Sequence, residues 1–108
     1  MKRMVNSVIL LSLSGAGQVQ AQTVGDRQEG LALAQQFCSQ CHAVRREQVR
    51  SPSLRAPAFS ELATAPGMTS AALSVALTTP HAGMPMFMLS QDQRQDIIAY
   101  ILSLKAQR

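Results

Sequence analysis

The pentapeptide Cys38-Ser39-Gln40-Cys41-His42 decides how the rest of the chain is interpreted. It has the form C-x-x-C-H, which is the attachment pattern of covalently bound haem. Two cysteines three positions apart on one helical turn project their sulfurs to the same side, so both can reach the vinyl groups of one porphyrin. The histidine that follows then lies beneath the iron. We therefore predict one covalent haem held through Cys38 and Cys41, with His42 as an iron ligand.

Other uses of thiols compete for the same two cysteines, because the chain has no others. A Cys38–Cys41 disulfide would close a very small ring and stabilise little. A thioredoxin-like dithiol needs a βαβ context, which the sequence does not show. A structural zinc ion needs four N or S ligands, and its candidates are the two cysteines with His42 and His81. Since His42 directly follows Cys41, it is poorly placed to share one tetrahedral ion with it, and haem is favoured.

Residues 1–21 have the layout of a secretory signal peptide. Two basic residues open the segment, a short apolar core follows at residues 8–13, and small or apolar residues precede the expected cleavage site after Ala21. The apolar core is far shorter than the roughly 20 residues that cross a bilayer. We therefore expect residues 22–108 to be exported to the periplasm as one domain, without stable membrane insertion after cleavage.

Charge and composition argue against nucleic-acid binding. The chain has 10 Lys and Arg against 6 Asp and Glu, but two of the basic residues leave with the leader. Aromatic residues that could stack on bases are scarce, with no tryptophan and 1 tyrosine. No pair of carboxylates and no nucleophile–base pair stands out, so we also expect no enzymatic activity.

Apolar periodicity predicts an all-α domain. The last helix is the clearest, because Ser90 and Gln93 have the spacing of a capping box. Asp26 and Glu29 have the same spacing ahead of the first helix, which leads into the haem motif. The segments between the helices contain the prolines and are expected to be irregular. The predicted helices cover residues 26–37, 59–65, 70–77 and 90–105.

Haem iron held by one histidine needs a sixth ligand or keeps an open position. Met84 is the best candidate, because Gly83 lets the backbone approach closely and Pro85 stiffens the loop after it. Methionines are more often core filler than ligands, but the haem motif reverses that expectation here. The competitors are the neighbouring methionines and the second histidine of the chain: Met86, Met88 and His81.

The chain resembles the small bacterial class I cytochromes c over nearly all of residues 22–108. Gly30 lies where that family has the glycine that lets its first and last helices cross closely, and Tyr100 matches its aromatic residue on the last helix. Pro57 is similar to the proline whose carbonyl accepts a hydrogen bond from the proximal histidine. Met84, followed by proline, matches the axial methionine. The sequence departs from the family at Ala34, where many members carry an aromatic residue.

The resemblance implies a cytochrome c fold, in which N- and C-terminal helices cross and short helices and loops wrap around the covalent haem. The implied function is a soluble periplasmic one-electron carrier with His42 and Met84 as axial ligands. It would act as a monomer with a dehydrogenase, reductase or oxidase as redox partner. The alternative is a haem c protein with a vacant or histidine-ligated sixth site, acting in gas binding or as the haem subunit of an oxidoreductase complex. Pro52 remains a competitor for the role of Pro57.

Four arginines follow the haem motif closely, with Glu47 as the only acid among them: Arg45, Arg46, Arg50 and Arg55. Such a run is often an ordinary solvated loop. It would also serve as a basic rim beside the haem edge that steers an acidic redox partner. Arg55, shortly before Pro57, is the best placed of the four to pair with a haem propionate.

Overall fold

The structure, a computed structural model, describes residues 25–106. The predicted signal peptide and its cleavage site lie outside the described residues. Within residues 25–106 there is no β-strand, only an isolated bridge between His81 and Met84. The prediction of an all-α fold is therefore confirmed. The helices are α1 (Arg27–Phe37), α2 (Phe59–Thr64), α3 (Ser70–Thr78) and α4 (Gln91–Ser103), followed by a short 3₁₀ turn at Leu104–Ala106.

The two long helices begin at the caps that the sequence predicts. The Asp26 side chain accepts hydrogen bonds from the backbone N–H groups of Gln28 and Glu29. At the start of α4, Ser90 and Gln93 form a complete capping box, each side chain accepting from the other's backbone N–H. Caps of this kind satisfy backbone donors that a helix cannot pair internally, and each contributes about 1 kcal/mol.

Helices α1 and α4 cross at Gly30, where they form the most extensive helix–helix contact of the described residues. A Cβ atom built on Gly30 would lie 1.9 Å from the Asp96 carbonyl oxygen and 2.8 Å from the Tyr100 Cβ. The Asp96 side chain also accepts a 2.7 Å hydrogen bond from the Asp26 backbone N–H. The predicted crossing of the terminal helices is therefore confirmed, and it depends on a residue without a side chain.

One face of α4 supplies the centre of the core. Tyr100 is the polar member of this face, and its hydroxyl donates a hydrogen bond to the Val44 carbonyl oxygen. Burial, more than nearby charges, raises the pKa of Tyr100, so the hydroxyl stays protonated and remains a donor. This bond ties α4 to the chain just after the haem motif. The buried side chains from all four helices include Ala34, Phe59, Ala63, Leu73, Ile97, Ile98 and Ile101.

Between residues 25 and 106, no helix combines the length and the apolarity that crossing a bilayer requires.

Candidate functional site

The C-x-x-C-H segment continues the end of α1 as a tight turn. The backbone N–H of Cys38 donates to the Ala34 carbonyl at 2.8 Å, and that of His42 donates to the Cys38 carbonyl at 2.9 Å. Cys38 is buried, whereas Cys41 and His42 are partly exposed. The two thiols do not form a disulfide with each other. The whole motif therefore lies in one compact turn at the C-terminal end of α1.

The environment of Cys38 disfavours chemistry that needs a thiolate. Burial, with a smaller contribution from the neighbouring Cys41, raises the pKa of its thiol to about 11. Disulfide exchange and zinc binding both use the deprotonated sulfur. In addition, no three His, Cys, Asp or Glu side chains among the described residues gather as metal ligands. Covalent haem attachment would instead convert both sulfurs to thioethers, which have no proton to lose.

The imidazole of His42 is held by a proline carbonyl. Its Nδ1 lies 2.6 Å from the carbonyl oxygen of Pro57. Because a carbonyl oxygen only accepts, Nδ1 carries the proton and Nε2 keeps a free lone pair for a metal. The buried ring of Phe59 packs against the imidazole with 5.3 Å between ring centroids. The proline that hydrogen-bonds His42 is therefore Pro57 and not the competing Pro52.

Two backbone–backbone hydrogen bonds and one hydrogen bond to a serine side chain close the loop that carries Pro57. The N–H of Ser53 donates to the Cys41 carbonyl at 3.1 Å, and that of Phe59 donates to the Ala43 carbonyl at 2.9 Å. The Ser51 hydroxyl accepts from the Ala43 N–H at 2.9 Å. These bonds explain how a polar loop brings Pro57 back to the histidine. Nothing in the sequence signals them, because serines in a polar loop carry no distinctive pattern.

Met84 lies in a tight turn of the segment between α3 and α4. Gly83 has a φ of 79°, which favours glycine, and the Met84 N–H donates to the His81 carbonyl at 3.2 Å. His81 Nε2 lies 2.8 Å from the Met84 sulfur, and its Nδ1 lies 3.0 Å from the Thr79 carbonyl oxygen. A neutral imidazole has one N–H and donates to only one of these groups. Met84 and His81 therefore occupy the same small region.

A cleft of about 690 Å³, measured to its open mouth, brings the predicted site residues together. The haem motif and the Pro57 loop form one part of its lining, and the His81–Pro85 turn forms another. Phe37 and Phe87, whose ring centroids are 5.7 Å apart, complete an apolar wall that the sequence did not predict. The predicted residues that line the cleft are Cys38, Cys41, His42, Pro57 and Met84.

The lining of the cleft suits a haem. It combines two thiols, an imidazole with a free nitrogen, a thioether and largely apolar walls. The exposed Met86 and Met88 do not line it.

Comparison with known proteins agrees with this chemistry. The family model for cytochrome c matches residues 28–105, a range that contains the cleft, helices α2 to α4 and all but the first residue of α1. The chain is also 36% identical over 97 residues to cytochrome c-552 of Bradyrhizobium diazoefficiens, a match that covers 90% of this chain and 92% of that protein. No solved structure matches significantly. The chain therefore belongs to the cytochrome c family, and it is an electron carrier with covalently attached haem c.

Proposed function

We propose that the chain is a periplasmic one-electron carrier whose haem iron is ligated by His42 and Met84. The observation that carries this proposal is the single cleft lined by the attachment cysteines, a histidine with its Nε2 free, and a methionine thioether. The bound haem supplies a one-electron couple between ferric and ferrous iron. The residues of this chain would set the reduction potential of the haem and determine how far it is shielded from solvent.

His42 would act as a fixed and basic ligand. The Pro57 carbonyl accepts from Nδ1, which sets the tautomer and increases the electron density at Nε2. Phe59, 3% exposed, limits rotation of the ring from the protein side. A ligand held in this way needs little rearrangement when the iron changes charge, which favours fast electron transfer.

Met84 would act as the sixth ligand and close the iron to substrates. A thioether stabilises ferrous iron, so His/Met ligation raises the reduction potential. Met84 is half-buried beside the cleft, whereas Met86 is 50% exposed and Met88 is 100% exposed. These exposures support Met84 over its neighbours.

His81 is the main rival for the sixth position. It lines the same cleft, and the Thr79 carbonyl beside its Nδ1 would leave its Nε2 free as a ligand. A histidine-ligated haem would have a lower potential than a methionine-ligated one. A vacant sixth position would instead make the protein a binder of small gases. The experiment below separates methionine ligation from both of these alternatives.

The periplasmic location is supported by the predicted leader at residues 1–21 and by the haem itself, since covalent attachment takes place outside the cytoplasm. The partner would be a dehydrogenase, a reductase or an oxidase that exchanges single electrons with the carrier. Similarity to a cytochrome c-552 favours a carrier over an enzyme. We propose that the protein acts as a monomer.

The experiment compares the oxidised spectra of the purified holoprotein and three variants, Met84→Ala, Met86→Ala and His81→Ala. Sulfur ligation gives ferric haem a weak charge-transfer band in the far red. We expect the wild type, Met86→Ala and His81→Ala to show the band, and Met84→Ala to lose it and to have a lower potential. Mass spectrometry should show one haem that survives denaturation. Loss of the band in Met86→Ala alone, or its absence from the wild type, would refute ligation by Met84.

A further inference from the structure

Two methionine side chains near the haem cleft are turned away from the protein. Met86 is 50% exposed and Met88 is 100% exposed, although methionine is among the residue types that folded proteins most often bury. Their neighbours face the other way, since Phe87 packs against Phe37 and Leu89 packs against the core. This alternation places the thioethers of Met86 and Met88 on one solvent-facing side of the chain.

A histidine lies next to these two methionines. His81 is exposed, and it lines a small pocket together with Met86. Its Nδ1 lies 3.0 Å from the Thr79 carbonyl oxygen, a stronger acceptor than a thioether, so Nδ1 carries the proton and Nε2 keeps its lone pair. Nε2 faces the Met84 sulfur at 2.8 Å, and a thioether has no proton to donate to it. The imidazole therefore offers a free donor atom to a cation.

The stretch of sequence around these side chains carries no formal charge. From residue 62 to residue 91 there is no Asp, Glu, Lys or Arg. Arg94 is the first basic residue after this stretch, and its guanidinium donates a 2.7 Å hydrogen bond to the Leu89 carbonyl. The stretch therefore supplies none of the carboxylates that Ca²⁺ and Mg²⁺ prefer, and it adds no positive charge of its own that would repel a cation.

One imidazole nitrogen and two thioether sulfurs form a neutral, soft set of donors. Soft sulfur ligands of this kind select cuprous ion. Positions 86 and 88 are about 7 Å apart along an extended chain, and the flexible methionine side chain lets both sulfurs turn to one ion. In the haem-loaded protein, the sulfurs of Cys38 and Cys41 are thioethers of the haem and do not compete as thiolates.

We propose that His81, Met86 and Met88 form a binding site for a single cuprous ion beside the haem. The inference rests on the proposed function only in that Met84 is left to the iron, so the ion takes the other two methionines of the segment. Binding changes no oxidation state, because the ion exchanges weakly held solvent ligands for one nitrogen and two sulfurs. The carrier would then hold a second metal within residues 81–88.

The test titrates cuprous ion into the ferrous holoprotein, without oxygen and with ascorbate present. Both metals are then reduced, so no electron passes between them. Methionine methyl signals in NMR spectra report binding, and the methyl of an iron-bound methionine is distinct because the haem ring shifts it. We expect the methyl signals of Met86 and Met88 and the ring signals of His81 to move together and to saturate at one ion per haem. Zn²⁺, which prefers thiolate, imidazole and carboxylate ligands, should leave the methionine signals in place.

Three variants and one matched control test the donors. Leucine has a similar volume to methionine and no sulfur, and such swaps are well tolerated. Met86→Leu, Met88→Leu and His81→Ala should each raise the dissociation constant for cuprous ion about tenfold or more, because each removes one of three donors. Met68→Leu is the control, since Met68 packs against the core outside the segment. It should bind as the wild type does in calorimetric titrations.

The titration of the unaltered protein decides the matter even if a variant fails to fold. Unmoved Met86 and Met88 signals, equal movement with Zn²⁺, or movement of the Met84 signal away from its iron-bound position would overturn the copper site. Equal affinity of Met88→Leu and the wild type would overturn it as well. Failure of the proposed haem ligation is read separately, because a Met84 signal that is not haem-shifted before the ion is added would refute ligation of the iron by Met84.

Discussion

The crossing of α1 and α4 and the segment of residues 79–89, which we call the distal loop, differ in what holds them in place. At the crossing, Gly30 lies against the backbone of Asp96, and Ile97 beside it is 0% exposed. The distal loop is mostly exposed, and a turn between His81 and Met84 is its main internal contact. Close packing therefore fixes the helices, whereas a few polar contacts hold the proposed sixth ligand.

We therefore expect the stability of the fold and the ligation of the iron to depend on different parts of the chain. The crossing contains none of the proposed iron ligands, so changes there should alter the free energy of unfolding and leave the haem spectrum intact. The distal loop contributes little buried surface, so changes there should alter the ligation of the iron more than the stability. Three substitutions test this separation.

The largest effect is expected for Gly30→Leu. Any side chain at this position meets the Asp96 carbonyl, which is backbone and cannot move aside without shifting a helix. The free energy of unfolding should fall by about 3 kcal/mol, which corresponds to a fall in melting temperature of roughly 10–20 °C. Calorimetry of the reduced holoprotein gives this value, and the far-red band of the oxidised form should persist. A stable Gly30→Leu protein would disprove the close approach of α1 and α4.

A smaller effect is expected for Gly83→Ala in the distal loop. Gly83 has a φ of 79° and a Cβ would meet no atom within 4 Å, so the cost is backbone strain alone, about 1–2 kcal/mol. Gly67, with a φ of 76° and equally open space, provides the matched control. Both variants should lose similar stability, but only Gly83→Ala should weaken the far-red band. Equal spectra for the two variants would show that the turn at Gly83 does not position the ligand.

The smallest effect is expected for Tyr100→Phe. This change removes one hydrogen bond to the Val44 carbonyl at the edge of the core. Denaturant titration should show a loss of about 1 kcal/mol, and the reduction potential should stay the same. A shift in potential would mean that the link between α4 and the haem motif also positions the haem, contrary to the separation described above.

Local features of the sequence predicted much of this molecule. The caps at Asp26 and Ser90 depend on residues within one helical turn, so both could be identified directly. The positions of Gly30 and Pro57 came from resemblance to a family, because their partners are distant in the chain. The crossing at Gly30 is confirmed by the structure and the family, whereas the roles of the site residues stay predictions.

Features that depend on several distant segments could not be predicted. The apolar wall of the cleft needs Phe37 and Phe87, which are 50 positions apart and have no shared motif. The closure of the loop that carries Pro57 depends on Ser51 and Ser53, which look like ordinary loop residues. The exposure of Leu54 also runs against its residue type, and only the folded chain reveals it.

In the proposed function, a methionine from the distal loop closes the sixth position of the haem iron. The most direct measurement is the addition of carbon monoxide to the ferrous holoprotein at neutral pH, with Met84→Ala as the positive control. We expect the spectrum of the wild type to stay unchanged on mixing, whereas that of Met84→Ala should convert at once to the carbon monoxide complex. Rapid and complete conversion of the wild type would contradict closure by Met84, because it would show an open iron site.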